Sequence, residues 1–316
     1  MNKLKKIGLT ALAGSMVATA ATAADVTVGM GWSLSYTSQD SDENGGTASW
    51  TSGDSITFTT TGTLDNDWVA TAYLEVDETG GDGIDDEKLT LDMLDMGTIG
   101  FGSNAGHGFG IDAVKNFLPG ADTPAVSMGF TDLSAVGGAN TANGVLGYQL
   151  AVGDTGVTVG VEQAVASAGG YDRSVSIKYV TDVGDAAISI GVGTSELEPD
   201  NGSGGDNETA MGASFTINNF SFGANHNETD YGSTTNDIDN QAYGVSYQIN
   251  PDFNVSYQVV TNSRDTASQD EQISQIAAAY TYGSITFSGY VGKQSDASGT
   301  AGSDDAEKHI SMSLAF

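Results

Sequence analysis

Apolar and polar residues alternate with a period of two through most of the chain. The C-terminal stretch "AEKHISMSLAF" shows this clearly, because Ile310, Met312, Leu314 and Phe316 are separated by polar or small residues. A period of two places successive side chains on opposite faces of a β-strand. The pattern therefore predicts strands that have one apolar face and one polar face.

The same alternation recurs from residue 24 to the end of the chain, and about 16 stretches qualify as strands, give or take two. The least regular are "SITFTTTGTL", "GTIGFGS" and "AAISIGVG". Short turns such as Asn250-Pro251-Asp252 alternate with long segments rich in Gly, Ser, Asp and Asn. An even strand number with short turns at one rim and long loops at the other is typical of a transmembrane antiparallel β-barrel.

The polar faces are rich in Ser, Thr, Asn and Gln, and such an interior is not a packed core. The apolar faces must therefore contact lipid, and the fold class is all-β. The hydrophobic fraction of 39% is low for a packed β protein of this length. A secreted β-sandwich or β-solenoid would also alternate, but the regular succession of short and long connections favours the barrel.

The first 23 residues have the features of a secretory signal peptide. Lysines precede an apolar stretch that starts at Ile7, and small residues at Ala21–Ala23 fit a cleavage site. We therefore expect residues 1–23 to be cleaved and residues 24–316 to form a single barrel domain. An uncleaved membrane anchor fits less well, because Thr and Ser interrupt the apolar stretch. No later apolar run is long enough for a transmembrane helix.

Charge and motif content exclude several functions. The formal net charge of −31 excludes nucleic acid as a partner. The chain has no cysteine, no nucleophile motif and no nucleotide-binding loop, so we expect no enzyme and no required cofactor. His107, His226 and His309 lack metal-ligand spacing, and no metal site is assigned.

Calcium is the one metal that the composition leaves open. "DSDENG" matches the first half of a calcium-binding loop, but Thr51 stands where the closing Glu belongs and flanking helices are not expected. An EF-hand is therefore rejected. Ca²⁺ bound more loosely by the acidic loops stays an open alternative, because clustered carboxylates suit this ion.

Taken together, the leader, about 16 alternating strands, a very long third loop and the terminal Phe resemble the general diffusion porins of Gram-negative bacteria. The acidic, Gly-rich, Cys-free composition is most similar to the alphaproteobacterial (Rhodobacter-type) members. The resemblance covers the whole mature chain as a pattern and contains no single motif. It implies an outer-membrane channel through which small hydrophilic solutes and ions diffuse passively. It also implies a homotrimer embedded in outer-membrane lipid and lipopolysaccharide.

In these porins the third loop folds into the lumen and narrows the pore. The corresponding loop here is 103–143, and its "GIDAVKNFLPG" stretch is expected to form a short helix closed by Pro119-Gly120. Apolar residues could pin it to the wall: Phe109, Ile111, Val114, Phe117 and Leu118.

The family places acidic loop residues opposite basic residues of the facing wall. The resemblance assigns this pore constriction to Asp112, Asp122 and Asp132, with Lys115 on the loop and Lys88 and Lys178 on strands. By the alternation, Lys88 and Lys178 point inward. Because basic residues are scarce, we expect a preference for cations.

The family's terminal strand is read by the barrel-assembly machinery, and the resemblance assigns this assembly signal to Ile310, Met312, Leu314 and Phe316. Small lipid-facing residues such as Ala70 and Ala72 would suit a close subunit interface.

Two other functions stay open. A solute-specific channel on the same barrel would need an aromatic track in the lumen, where Tyr73 and Tyr290 face inward. The other alternative is a non-conducting surface or adhesive barrel protein.

Overall fold

The computed structural model describes residues 26–41, 46–77, 84, 86–102, 108–120, 144–165, 171–197, 206–232 and 237–316. The predicted signal peptide lies outside these residues. The strands in the described part of the chain are β1 Val26–Ser41, β2 Thr47–Thr63, β3 Val69–Asp77, β4 Glu87–Asp92, β5 Thr98–Gly102, β6 Val145–Ala151, β7 Val157–Val165, β8 Tyr171–Val183, β9 Ala186–Leu197, β10 Asp206–Ile217, β11 Phe220–Tyr231, β12 Ile238–Asn250, β13 Phe253–Arg264, β14 Glu271–Tyr282, β15 Ile285–Ser295 and β16 Asp305–Ala315. Single 3₁₀ turns lie at Leu94–Met96, Ile111–Ala113, Gly153–Thr155 and Ala297–Gly299.

The strands form one closed antiparallel barrel in which each strand pairs with its neighbours in sequence. The seam joins β1 to β16, with Trp32 opposite Leu314. Below it, the Met30 and Phe316 backbones exchange hydrogen bonds of 3.1 and 3.0 Å. Closure leaves no unpaired sheet edge facing lipid. The predicted all-β barrel of about 16 strands is confirmed.

The two faces of the barrel follow the alternation in the sequence. Outward side chains such as Ile276 and Ile310 are 63% and 59% exposed in the isolated chain, as expected for groups that lipid covers. Inward positions carry polar groups, for example Ser35 between Thr51 and Ser311. Among the described residues, no helix is long and apolar enough to cross a membrane.

The short-turn rim uses residues with positive φ. Asn218 has φ 50° in the turn between β10 and β11, and Gly283 has φ 62° between β14 and β15. Tight hairpins need such left-handed positions, which Gly and Asn adopt at little cost. These turns therefore keep successive strands in register at this rim.

The first connection differs from the sequence-based prediction. The segment 37–54 is one of the Gly-, Ser-, Asp- and Asn-rich segments whose composition predicts a long loop, but β1 continues to Ser41 and β2 begins at Thr47. Gln39 pairs with Thr47, and the rings of Tyr36 and Trp50 lie 5.0 Å apart. Both faces are polar above the apolar belt, so the alternation fades there. The backbone ladder does not depend on that contrast and continues.

Candidate functional site

The segment 108–120, which follows β5, lies inside the barrel against the inner faces of β6–β13, called the docked wall below. The predicted short helix is wrong beyond one 3₁₀ turn at Ile111–Ala113. A physical reason is that Asn225 of the wall binds the Phe117 N–H, which a helix would pair with the carbonyl four residues earlier. The segment 108–120 is called the docked segment.

The first half of the docked segment is bonded to β7 and β8. The Phe109 N–H donates to Glu162 Oε1 at 3.1 Å, and Ser176 Oγ donates to the Phe109 carbonyl at 2.8 Å. The Ile111 N–H donates to Ser174 Oγ at 3.2 Å. Three wall side chains thus bond to backbone groups of Phe109 and Ile111, in a segment that is not paired with a strand of the sheet.

The second half is bonded to β11. Asn225 accepts from the Phe117 N–H at 2.7 Å and donates to the Lys115 carbonyl at 2.9 Å. Asn227 donates to the same carbonyl at 3.0 Å. An amide side chain that both accepts and donates fixes the position and the direction of the backbone that it holds.

Apolar contacts hold the docked segment along the same path. Ile111 and Val114 are fully buried and Phe117 nearly so, packed with Ala210 of β10. Leu118 packs against a second cluster on the inner face of β12–β15, made of Ala242, Val260, Ile273, Ala277 and Tyr290. Burying these side chains removes apolar surface from a water-filled interior, which favours the docked position.

Glycines make the groove in which the segment lies. At each of six inner-face glycines, an added Cβ would lie closer than 3.0 Å to an atom of the docked segment. These seat glycines are Gly147, Gly160, Gly191, Gly193, Gly212 and Gly223. Sequence analysis did not single them out. Their shared inward parity on nearby strands was the available signal.

The charged residues assigned to the constriction have specific partners. Asp112 and Lys115, both on the docked segment, form an ion pair at 3.0 Å. The Lys178 Nζ lies 5.3 Å from the ring centroid of Phe117. The inner-face Lys88 pairs with Asp86 at 3.1 Å. Their role in selectivity stays a prediction, and Asp122 and Asp132 fall outside the described residues.

The structure adds one inward basic residue that sequence analysis did not place. Arg264, at the end of β13, lies 3.3 Å from Glu271 of β14. Glu271 also accepts from Asn262 Nδ2 at 2.8 Å. Extending the alternation of Val255, Tyr257 and Val259 by a few residues would have located Arg264 on the inner face.

The inner face opposite the docked segment has another character. On β1–β3, β15 and β16, called the open wall below, neighbouring hydroxyls bond to each other across strands. Examples are Ser35–Thr51 at 2.6 Å, Thr61–Thr71 at 3.2 Å and Ser288–Ser311 at 2.6 Å. These hydroxyls are neutral polar groups on an inner face that also carries the acidic residues Glu75 and Asp77 of β3 and Glu307 of β16.

A family-level comparison identifies the barrel. The model of the family described as "Gram-negative porin" matches residues 8–313. The chain belongs to the Gram-negative porin family. Membership places this porin in the outer membrane. A comparison with curated proteins finds no match.

Solved porin structures share the fold of this porin at low sequence identity. An anion-selective porin from Comamonas acidovorans matches with TM-score 0.69 and 15% identity, covering 93% of this chain and 100% of that one. OmpT of Vibrio cholerae, in a trimer form, matches with TM-score 0.60 and 13% identity over 92% and 99%. A triple mutant of Rhodobacter blastica porin matches with TM-score 0.61 and 14% identity over 92% and 100%.

The calcium prediction remains open for this porin. Parts of the acidic loops, among them 42–45, 78–83, 198–205 and 233–236, fall outside the described residues. Elsewhere in the described chain, no group of three or more His, Cys, Asp or Glu side chains is arranged to hold a metal ion.

Proposed function

We propose that this porin forms a water-filled channel for passive diffusion of small hydrophilic solutes and ions, with a preference for cations. The observation that carries the preference is the charge of the inner face. Acidic side chains dominate there: Glu75, Asp77, Glu162, Asp172, Glu208, Glu271, Asp305 and Glu307. The inward basic side chains are Lys88, Lys115, Lys178 and Arg264.

Ion pairing reduces the basic contribution further. Lys88, Lys115 and Arg264 each lie within 3.3 Å of a carboxylate, so each pair adds little net charge to the lumen. Carboxylates outnumber basic groups on the inner face, so its net charge is negative, and the resulting potential concentrates cations and repels anions. The Comamonas acidovorans protein is named anion-selective. Selectivity depends on the charges carried by a fold and does not follow from the fold itself.

The reversal potential in a KCl gradient across a planar bilayer tests this proposal. We expect stepwise conductance and a cation-selective potential. Glu75→Gln on the inner face should weaken the selectivity, whereas Asp54→Asn, opposite the outward Trp32, should leave it unchanged. An anion-selective potential would refute the preference. A correctly folded barrel that never conducts would refute the channel in favour of a surface or adhesive barrel.

The structure offers little support for a solute-specific channel built on an aromatic track. Tyr290 is only 6% exposed, and its ring stacks on His309 at 5.1 Å with an interplanar angle of 12°. Its hydroxyl donates to Glu307. A tyrosine whose ring is stacked and whose hydroxyl is hydrogen-bonded exposes little surface to a passing solute. A general channel is therefore the better supported function.

We also propose a homotrimer. The Vibrio cholerae neighbour is a trimer form, and the outward side chains of Ala70 and Ala72 on β3 permit close approach of a second subunit. Chemical crosslinking in mild detergent would test this. Trimeric bands are expected, and a mass corresponding to one subunit at all protein concentrations would overturn the proposal.

The apolar outward face of β16 is consistent with a role of this strand in barrel assembly, once the leader has directed export of the chain. Ile310 and Phe316 are 59% and 69% exposed, with Met312 and Leu314 on the same face, towards outer-membrane lipid and lipopolysaccharide. We propose that the barrel-assembly machinery reads this face. Phe316→Ser should lower the fraction of barrel that folds in cells. An unchanged fraction would refute this role.

A further inference from the structure

We propose that the seat glycines set the width of the channel, because they hold the docked segment closer to the wall than any other residue would allow. This inference rests on the proposed function as a channel. It concerns positioning: the glycines themselves touch the docked segment, and the docked segment in turn limits the lumen.

Two of these glycines face backbone atoms of the docked segment. A Cβ at Gly160 would collide with the carbonyl oxygen of Phe109, and a Cβ at Gly223 with that of Phe117, both well under 3.0 Å. A backbone carbonyl cannot rotate out of the way as a flexible side chain can. An alanine at either site therefore requires the segment itself to move.

Because the segment lies on the inner side of the wall, movement away from the wall carries it towards the lumen. Phe109 and Phe117 lie between the wall and the interior, and wall side chains Ser176 and Asn225 hold them. The segment must move until the added Cβ and the carbonyl oxygen are again at an ordinary van der Waals distance, which requires a displacement on the order of 1 Å. Conductance depends on the radius of the narrowest part, so the displaced segment should reduce it.

Two further seat glycines act through side chains. A Cβ at Gly191 would collide with a methyl group of Val114, and one at Gly212 with the ring of Phe117. Val114 is fully buried and Phe117 is 7% exposed. Neither side chain has room to turn away, because close-packed interiors leave few voids. The collision is therefore transmitted to the segment.

The chain also offers graded controls. At Gly244, also on the docked wall, the nearest atom to an added Cβ is Pro119 Cδ at 3.3 Å, which needs only a small adjustment. At Gly31 of β1, on the open wall, the nearest atom to an added Cβ is the flexible Ser55 hydroxyl at 3.2 Å, and no atom of the docked segment lies within 4 Å. Neither glycine has a positive φ, so alanine introduces no backbone strain at these sites.

Single-channel conductance tests the inference. Gly160→Ala and Gly223→Ala should each lower conductance by roughly 1.5-fold or more. Gly244→Ala should lower it less, and Gly31→Ala on the open wall should not change it. Heat-modifiable gel mobility verifies that each barrel is folded. Equal conductance in all four variants and the parent would overturn the inference, as would an increase in Gly160→Ala.

A rescue experiment covers the case in which the backbone-facing variants do not fold. Gly191→Ala should lower conductance, and adding Val114→Ala should restore part of the loss, because the closest colliding atom is removed while the Phe117 ring stays 2.9 Å from the added Cβ. If the double variant conducts as little as Gly191→Ala alone, the inference that side-chain volume at the seat glycines positions the docked segment is refuted.

The two proposals fail differently. A parent barrel that is folded but never conducts would refute the channel and, with it, the assignment of its width. A conducting parent whose seat-glycine variants all conduct equally would leave the channel standing and refute only the role of the glycines.

Discussion

The docked wall and the open wall belong to one barrel and share one strand geometry, yet their inner side chains have different partners. On the docked wall, polar groups such as Ser174 and Asn225 bind the backbone of the docked segment. On the open wall, Ser35 and Thr51 bind each other. The docked wall therefore holds a segment of the chain inside the barrel, whereas the hydroxyl groups of the open wall are bonded to each other.

Burying a charge on the docked wall should give the largest effect. Ile111→Asp places a carboxylate where the native side chain is fully buried. An unpaired buried charge costs several kcal/mol, which is enough to release the segment from the wall. Trypsin should then cleave the folded porin after Lys115, giving two fragments on a denaturing gel.

The matching change on the open wall is Ser35→Asp, which faces the lumen water. This variant should resist trypsin as the parent does, because no docked segment depends on Ser35. Resistance of Ile111→Asp, or equal cleavage of both variants, would contradict the distinction between the two walls.

Removing one hydrogen-bonding side chain should have a smaller effect. Asn225→Ala leaves the Phe117 N–H and the Lys115 carbonyl without this partner. An unsatisfied buried group costs about 1–3 kcal/mol, so tryptic cleavage at Lys115 should accelerate roughly tenfold or more. Thr51→Ala on the open wall removes only a hydroxyl pair and should leave the cleavage rate near that of the parent. Similar cleavage rates for Asn225→Ala and Thr51→Ala would contradict the expected energetic difference between the docked wall and the open wall.

The smallest expected effect is on selectivity. Asp112→Asn leaves Lys115 without the carboxylate 3.0 Å away, so a positive charge is added to the docked segment. The cation-to-anion permeability ratio should fall by roughly twofold. Reversal potentials measure this, and Asp112→Asn combined with Lys115→Gln should return the ratio towards the parent value. A fall that persists in the double variant would assign the effect to Asp112 alone.

The barrel itself could be predicted from the sequence, because burial on one face of a strand repeats every second residue. That period located β16 through Ile310, Met312 and Leu314, and it also identified short strands such as β5. It failed at 37–41 and 47–54, where both faces of the strands are largely polar but the backbone ladder continues. Ladder hydrogen bonds carry no side-chain signature, so polar extensions of strands are difficult to recognise.

The candidate site was less predictable because it depends on contacts between distant parts of the chain. Apolar residues of the docked segment were recognised, but its helix was wrong, since Asn225 of a distant strand binds the Phe117 N–H that a helix would pair internally. The inward parity of Gly160 and Gly223 was readable. The sequence did not show why this parity matters, because the absence of a side chain has a consequence only where another segment occupies the space.

The seat glycines have a consequence for how this barrel can vary during evolution. A position that works by lacking a side chain has no improving substitution, and all nineteen alternatives add atoms in the same direction. Open-wall positions such as Ser35 have several acceptable polar replacements. Inherited changes in permeability should therefore accumulate on the open wall, while the docked wall keeps its glycines and drifts little.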